Sequence, residues 1–216
     1  MTYSTLQFPH YSAAERRVDA WVHGAGLGLA LAATPVLLWI AARSSAPQAL
    51  LATTIYAASL LGMLGASAAY NMTRPSALKR VLRRLDHSAI FVKIAGAYTP
   101  LCLLVIGGGH GWTLLAAVWA LGGVGVLLKM SASDRVERFS VPAYVALGWA
   151  IVFCAQAVLA AAPPVSLALF VAGGVAYSLG VPFHVARTLP YQNAIWHVFV
   201  VVGSALIFAA NATILL

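Results

Sequence analysis

Apolar positions run in long unbroken stretches, and polar positions gather between them. Seven such stretches can be drawn, at about 20–42, 49–70, 86–106, 111–128, 141–161, 165–183 and 194–215. Each comes close to the ~20 residues that an α-helix needs to cross a ~30 Å hydrocarbon layer. None alternates apolar and polar residues as a barrel strand does, and hydrocarbon offers the backbone no outside hydrogen-bond partner, so the stretches must be helices. The pattern predicts an all-α integral membrane protein, a seven-transmembrane helix bundle. It forms one domain over 20–216 behind a polar lead-in at 1–19, with no signal peptide.

The connection between the second and third stretches has a pattern of its own. Leu78, Val81, Leu82 and Leu85 fall at i, i+3, i+4 and i+7, while Lys79, Arg80, Arg83 and Arg84 take the opposite face. This predicts a basic amphipathic helix near 74–85, either lying on an anionic leaflet or serving as a plain positive anchor.

Composition removes the soluble alternatives. Of 216 residues, 62% are hydrophobic and 8% charged, against about 25% charged in soluble domains. The net charge of +8 would suggest nucleic acid only if the cations formed a soluble face. Instead they fall between the apolar stretches, so the reading carries no nucleic-acid partner. Arg16 and Arg17 precede the first stretch; Arg74, Lys79, Arg80, Arg83 and Arg84 follow the second; Lys129, Arg135 and Arg138 follow the fourth; Arg187 follows the sixth. The other connections hold little beyond Arg43. The positive-inside rule then sets the N-terminus in the cytoplasm and the C-terminus outside. Cys102 and Cys154 sit in apolar stretches without paired spacing and read as inert thiols.

Candidate chemistry comes from polar residues at membrane depth, which are costly and usually face a protein interior or a wet cavity. Ser67 and Asn71 end the second helix on one face, and Asp86, His87 and Ser88 open the third. His23 lies near the start of the first helix, His184 ends the sixth, and Asn193 and His197 share a face of the seventh. All fall in the inner half of the expected bundle, with Asp86 as its one intramembrane carboxylate. Lys93, two turns beyond Asp86, is expected to face the same cavity. The cluster suits a metal or a held water. The plainer alternative is that these groups only snorkel, cap or hydrogen-bond between helices.

Several motifs together resemble the hemolysin III family, the bacterial branch of the progestin and adipoQ receptor superfamily. They are Glu15-Arg16 with His23-Gly24, Ser67-x-x-Tyr70, Leu85-Asp86-His87-Ser88-Ala89-Ile90, Ile94-Ala95-Gly96-Ala97-Tyr98-Thr99-Pro100, and Ala194-Ile195-Trp196-His197-x-Phe199-Val200. The resemblance implies seven transmembrane helices, a cytoplasmic N-terminus, and a multi-pass protein of a bacterial inner membrane. It also implies a zinc site made by one histidine ending the second helix and two on the seventh, with a serine and an aspartate holding a water. Ser67, Asp86 and His197 match that pattern, while the other two ligand positions hold Asn71 and Asn193. A neutral amide oxygen suits calcium or magnesium better than zinc, so zinc is expected to be weakened or absent in this chain. Three arrangements stay open: no metal, with the asparagines joined by hydrogen bonds or water; a metal helped by Asp86, His87, His23 or His184; or asparagines placed there deliberately to disable the site. The function expected from the resemblance is regulation of membrane or lipid homeostasis through this pocket, with membrane lipids as partners and protein partners unknown. The alternative is a zinc-dependent intramembrane lipid amide hydrolase of ceramidase type, in which Asp86 activates a water that Ser67 positions. A pore-forming cytolysin and a small ion or proton transporter are the remaining readings.

Overall fold

A computed structural model of the chain describes residues 11–131, 134–186 and 188–216, with backbone alone at 134–138. Arg187, the side chains of Arg135 and Arg138, and residues 1–10 of the lead-in lie outside the described residues. The described residues contain no strand, and seven of their helices are long and apolar enough to cross a membrane.

Helix α1 (Ala13–Arg43) starts well before the first apolar stretch, because Ser12 and Glu15 close a capping box around its first turn. The Ser12 amide donates to Glu15 Oε2 at 2.7 Å, and the Glu15 amide donates to Ser12 Oγ at 3.2 Å. Helix α2 (Ala49–Met72) follows. Helix α3 (Ala77–Pro100) is capped by Ser76, whose hydroxyl accepts from the Lys79 amide. The basic stretch expected as a helix of its own therefore forms the opening turns of α3, with no break before the membrane-length segment. Past Pro100 the same helix widens into π turns over Leu101–Ile106. Gly107 and Gly108, with φ of +59° and +51°, make the reversal that only glycine adopts without strain.

Helix α4 (Gly108–Met130) leads to a fifth crossing built in pieces. Helix α5 (Asp134–Gly148) gives way to 3-10 turns at Ala150–Cys154 and then to the short helix α6 (Ala155–Ala161). The gap is filled by one side chain from α3. Tyr98 donates its hydroxyl to the Gly148 carbonyl and accepts from the Ile151 amide, both at 2.8 Å. A broken helix at membrane depth is tolerated only where its freed backbone groups find partners, and Tyr98 supplies both. Helices α7 (Pro164–Val185) and α8 (Gln192–Leu215) complete the chain.

The helices form a closed ring. α1 packs on α2, α2 on α3, α3 on α4 and α7 on α8, and α1 returns to pack on α8. Between α5 and α7 the seam is thin. Small residues set the tightest approaches, as expected where packing rather than hydrophobicity joins helices. A Cβ at Gly96 would overlap the Ser59 side chain between α2 and α3, and one at Gly203 would come within 2.8 Å of the Tyr177 ring between α7 and α8. Tyr56, Leu60, Leu101 and Val118 fill the interior, whereas large apolar side chains such as Trp21, Leu127 and Phe153 stand on the outer faces. The connections α2–α3, α4–α5 and α7–α8 lie at one end, called here the basic end after its cations.

Candidate functional site: a buried carboxylate between α1 and α8

The basic end of the bundle holds a buried aspartate that the apolar pattern hides. Asp19 sits in the second turn of α1 and is 7% exposed. Each of its oxygens has one close partner on α8. His197 Nδ1 donates to Oδ1 at 2.6 Å, and Asn193 Nδ2 donates to Oδ2 at 2.9 Å. The i, i+4 spacing of Asn193 and His197 sends both side chains to this one carboxylate. The same Asn193 amide donates to Asn71 Oδ1 at 3.1 Å, and Asn71 Nδ2 turns back to the Ser67 carbonyl at 2.9 Å. Three helices, α1, α2 and α8, thus share one chain of hydrogen bonds.

His23 lies one turn along α1 from Asp19. Its ring packs against His197 with centroids 4.2 Å apart at a 54° tilt. His23 Nε2 is 3.6 Å from Asp19 Oδ2, beyond hydrogen-bonding reach, and is a buried polar atom without a hydrogen-bond partner. Orphaned buried polar atoms are rare in native interiors and call for a physical reason. Here Asp19, His23 and His197 each offer a ligand atom, and these atoms lie within 4.8 Å of one another. Two imidazoles and a carboxylate form a donor set of the kind zinc accepts in sites that keep a fourth position open. The residues therefore fit a zinc-type ion, although the amides at Asn71 and Asn193 do not.

This corrects the expectation that Asp86 is the one carboxylate at membrane depth. The hydrogen bonds of Asn71, Asn193 and His197 go to Asp19, to each other and to Ser67, not to Asp86. Asp86 lies 3.9 Å from His87 Nδ1, which is 2.6 Å from the Arg83 carbonyl. Ser67 is buried, and its backbone carbonyl, not its hydroxyl, makes the bond to Asn71.

Every expected site residue except His23 and Ser88 nevertheless lines a single cavity of about 790 Å³. Asn71, Asn193 and His197 form part of its polar wall, with Ser67, Asp86, His87 and His184 on the same lining. Ile94, Leu101, Phe170, Val200 and Ile207 line its apolar body. The His184 ring packs on Trp196, centroids 4.9 Å apart. Lys93 also faces the cavity and is 5% exposed. Its ammonium donates to the Tyr177 hydroxyl and lies 4.1 Å from that ring's centroid, while Tyr177 pairs with Ser204 at 2.7 Å. No carboxylate among the described residues comes within 4.0 Å of it. Lys93 thus lies on the same lining as Asn71, Asp86, Asn193 and His197.

Membrane-length helices around a buried carboxylate–imidazole group that could hold a metal ion define a polytopic α-helical membrane protein. Residues 11–208 match the family described as haemolysin-III related, and the chain belongs to that family. It is 34% identical to hemolysin-3 of Bacillus cereus over 194 residues, covering 90% of this chain and 89% of that protein. It is 33% identical to the hemolysin-3 homolog of Bacillus subtilis (strain 168), covering 90% of this chain and 91% of the relative. The membership read from the motifs is thereby borne out.

Sequence reasoning missed Asp19 because residues 13–19 read as a solvated lead-in. Two signals were available: the Ser12-x-x-Glu15 capping box, which starts the helix earlier, and the i, i+4 spacing of Asp19 and His23.

Proposed function

We propose that this chain regulates membrane or lipid homeostasis from within a bacterial inner membrane, by taking a membrane lipid into its cavity. The observation that supports this reading is the cavity itself, about 790 Å³, with an apolar body and one polar wall joined to the Asp19 group. A pocket of that size and lining suits an amphiphile better than a small polar solute. In this reading the apolar body takes the acyl portion, and Asn71, Asn193 and His197 meet the polar portion. The test is a strain lacking the protein. Its lipid composition under membrane stress should change, wild-type protein should restore it, and an Asp19→Asn protein present at equal level should not. Unchanged lipids in the deletion strain would overturn the reading.

A second reading, metal-dependent hydrolysis of a lipid amide, is favoured by the Asp19, His23 and His197 group. A zinc-type ion bound there would supply Lewis acidity and a polarised water. Asp19, His23 and His197 would hold it, and Asn193 would keep Asp19 oriented. Asp86 and Ser67, on the lining of the cavity, would orient the substrate's polar group or accept a proton. Elemental analysis of purified protein should find about one zinc per chain, lost in His23→Ala and in Asp19→Asn. Full zinc occupancy in both variants would remove these residues as ligands. A loaded wild type that turns over no ceramide-like amide would end the hydrolytic reading while leaving the first intact.

A further inference from the structure

A second cavity, of about 580 Å³, shares Asp19, Asn71 and Asn193 with the site just described. Its walls come from the start of α1, the end of α2, the α2–α3 connection, the first turn of α3, the α7–α8 connection and the first turn of α8. Three cations line it, each from a different segment: Arg16, Arg74 and Lys79. Two carboxylates line it as well, but both are engaged. Glu15 Oε1 accepts from the Tyr191 amide at 2.9 Å and Oε2 from the Ser12 amide, while Asp19 is held by His197 and Asn193. Lys79 donates to the Thr73 carbonyl at 2.7 Å and lies 5.0 Å from the Tyr70 ring centroid, which fixes its ammonium at the wall.

The cations of this end are not all alike. Arg17, Arg80 and Arg84 come from the same two helices and are exposed, yet none lines the cavity. A charge that served only to orient the protein would have no reason to converge on one concave space. Two guanidinium groups and an ammonium around a polar pocket match a phosphate group, whose oxygens accept the forked donors of arginine.

We propose that this second cavity is a phosphate-recognition site at the mouth of the Asp19 group. It takes the phosphate of an anionic phospholipid headgroup or a free phosphate ester. Arg16, Arg74 and Lys79 carry the recognition, and Tyr70 and Asn71 supply neutral partners.

Native mass spectrometry of the full chain in mild detergent tests it, with phosphatidylglycerol as one probe and inorganic phosphate as the other. Wild type should retain phosphatidylglycerol, and the pair Arg74→Gln with Lys79→Gln should lose about tenfold in affinity, as expected for two charge-assisted contacts. The pair Arg80→Gln with Arg84→Gln should bind as wild type does. Displacement of the lipid by millimolar phosphate would identify the free anion as the recognised species, and its retention would identify the headgroup. An equal loss in both pairs would reduce the effect to general attraction to basic residues and overturn the site. Failure of wild type to bind either probe would do the same. Should the first pair not fold, Arg74→Gln alone decides, since this exposed side chain lies in a connection and not in a helix.

Discussion

The hydroxyl of Tyr98 does two jobs with one oxygen, holding a carbonyl and an amide on either side of the break after α5. Tyr98→Phe takes this partner from both groups, a loss of about 2 kcal/mol. Denaturant titration of the purified protein should register it, with the helical content of the native state unchanged. No sequence rule would have assigned this role. The tyrosine stood out as part of a motif, but its partners lie 50 and 53 positions away and belong to the backbone, which carries no residue signature. The site shows the same limit from the other side. His197, Asn193, Asn71 and Ser67 were legible because their spacings place them at the ends of apolar runs. Asp19 was not, since a carboxylate beside two arginines reads as solvated surface until the helix that carries it is seen to pack on α8.

At the scale of elements, close approach depends on a few glycines, and they are not equivalent. A Cβ at Gly96 meets the Ser59 side chain, including its Cβ at 2.6 Å, so α2 and α3 must separate for Gly96→Ala to fit. The expected cost is about 1–3 kcal/mol. Gly123 on α4 has open space around it, and Gly123→Ala should be neutral or stabilising by up to about 1 kcal/mol through helix propensity. Unfolding both variants in mixed micelles compares them directly; equal effects would mean that helix propensity, not packing, governs both positions. Length and hydropathy foretold seven crossings well, because the thickness of a bilayer leaves little choice. They could not foretell the π turns after Pro100 or the interruption near Gly148, which tertiary partners permit and local composition does not mark. The basic stretch of α3 was legible as helix, but its fusion with the following span was not, because Asp86 and Ser88 are of types that often open a helix and here lie inside one.

For the whole molecule, the alternation of basic and neutral connections predicts which end faces the cytoplasm. A cysteine introduced at Gly109, in a variant with Cys102 and Cys154 changed to alanine, should react with a membrane-impermeant maleimide added outside intact cells. One introduced at Arg84 should react only after the membrane is opened. The reverse pattern would invert the assignment. The ring of helices also closes in a particular way: Glu15 and Asp19 of the first helix are completed by the Tyr191 amide, Asn193 and His197 near the far end of the chain. Synthesis runs in one direction, so the first crossing must wait in the bilayer with an uncompensated acid until the last one arrives. The bond that shapes the site thus joins segments more than 170 positions apart, which can meet only once α8 has packed against α1.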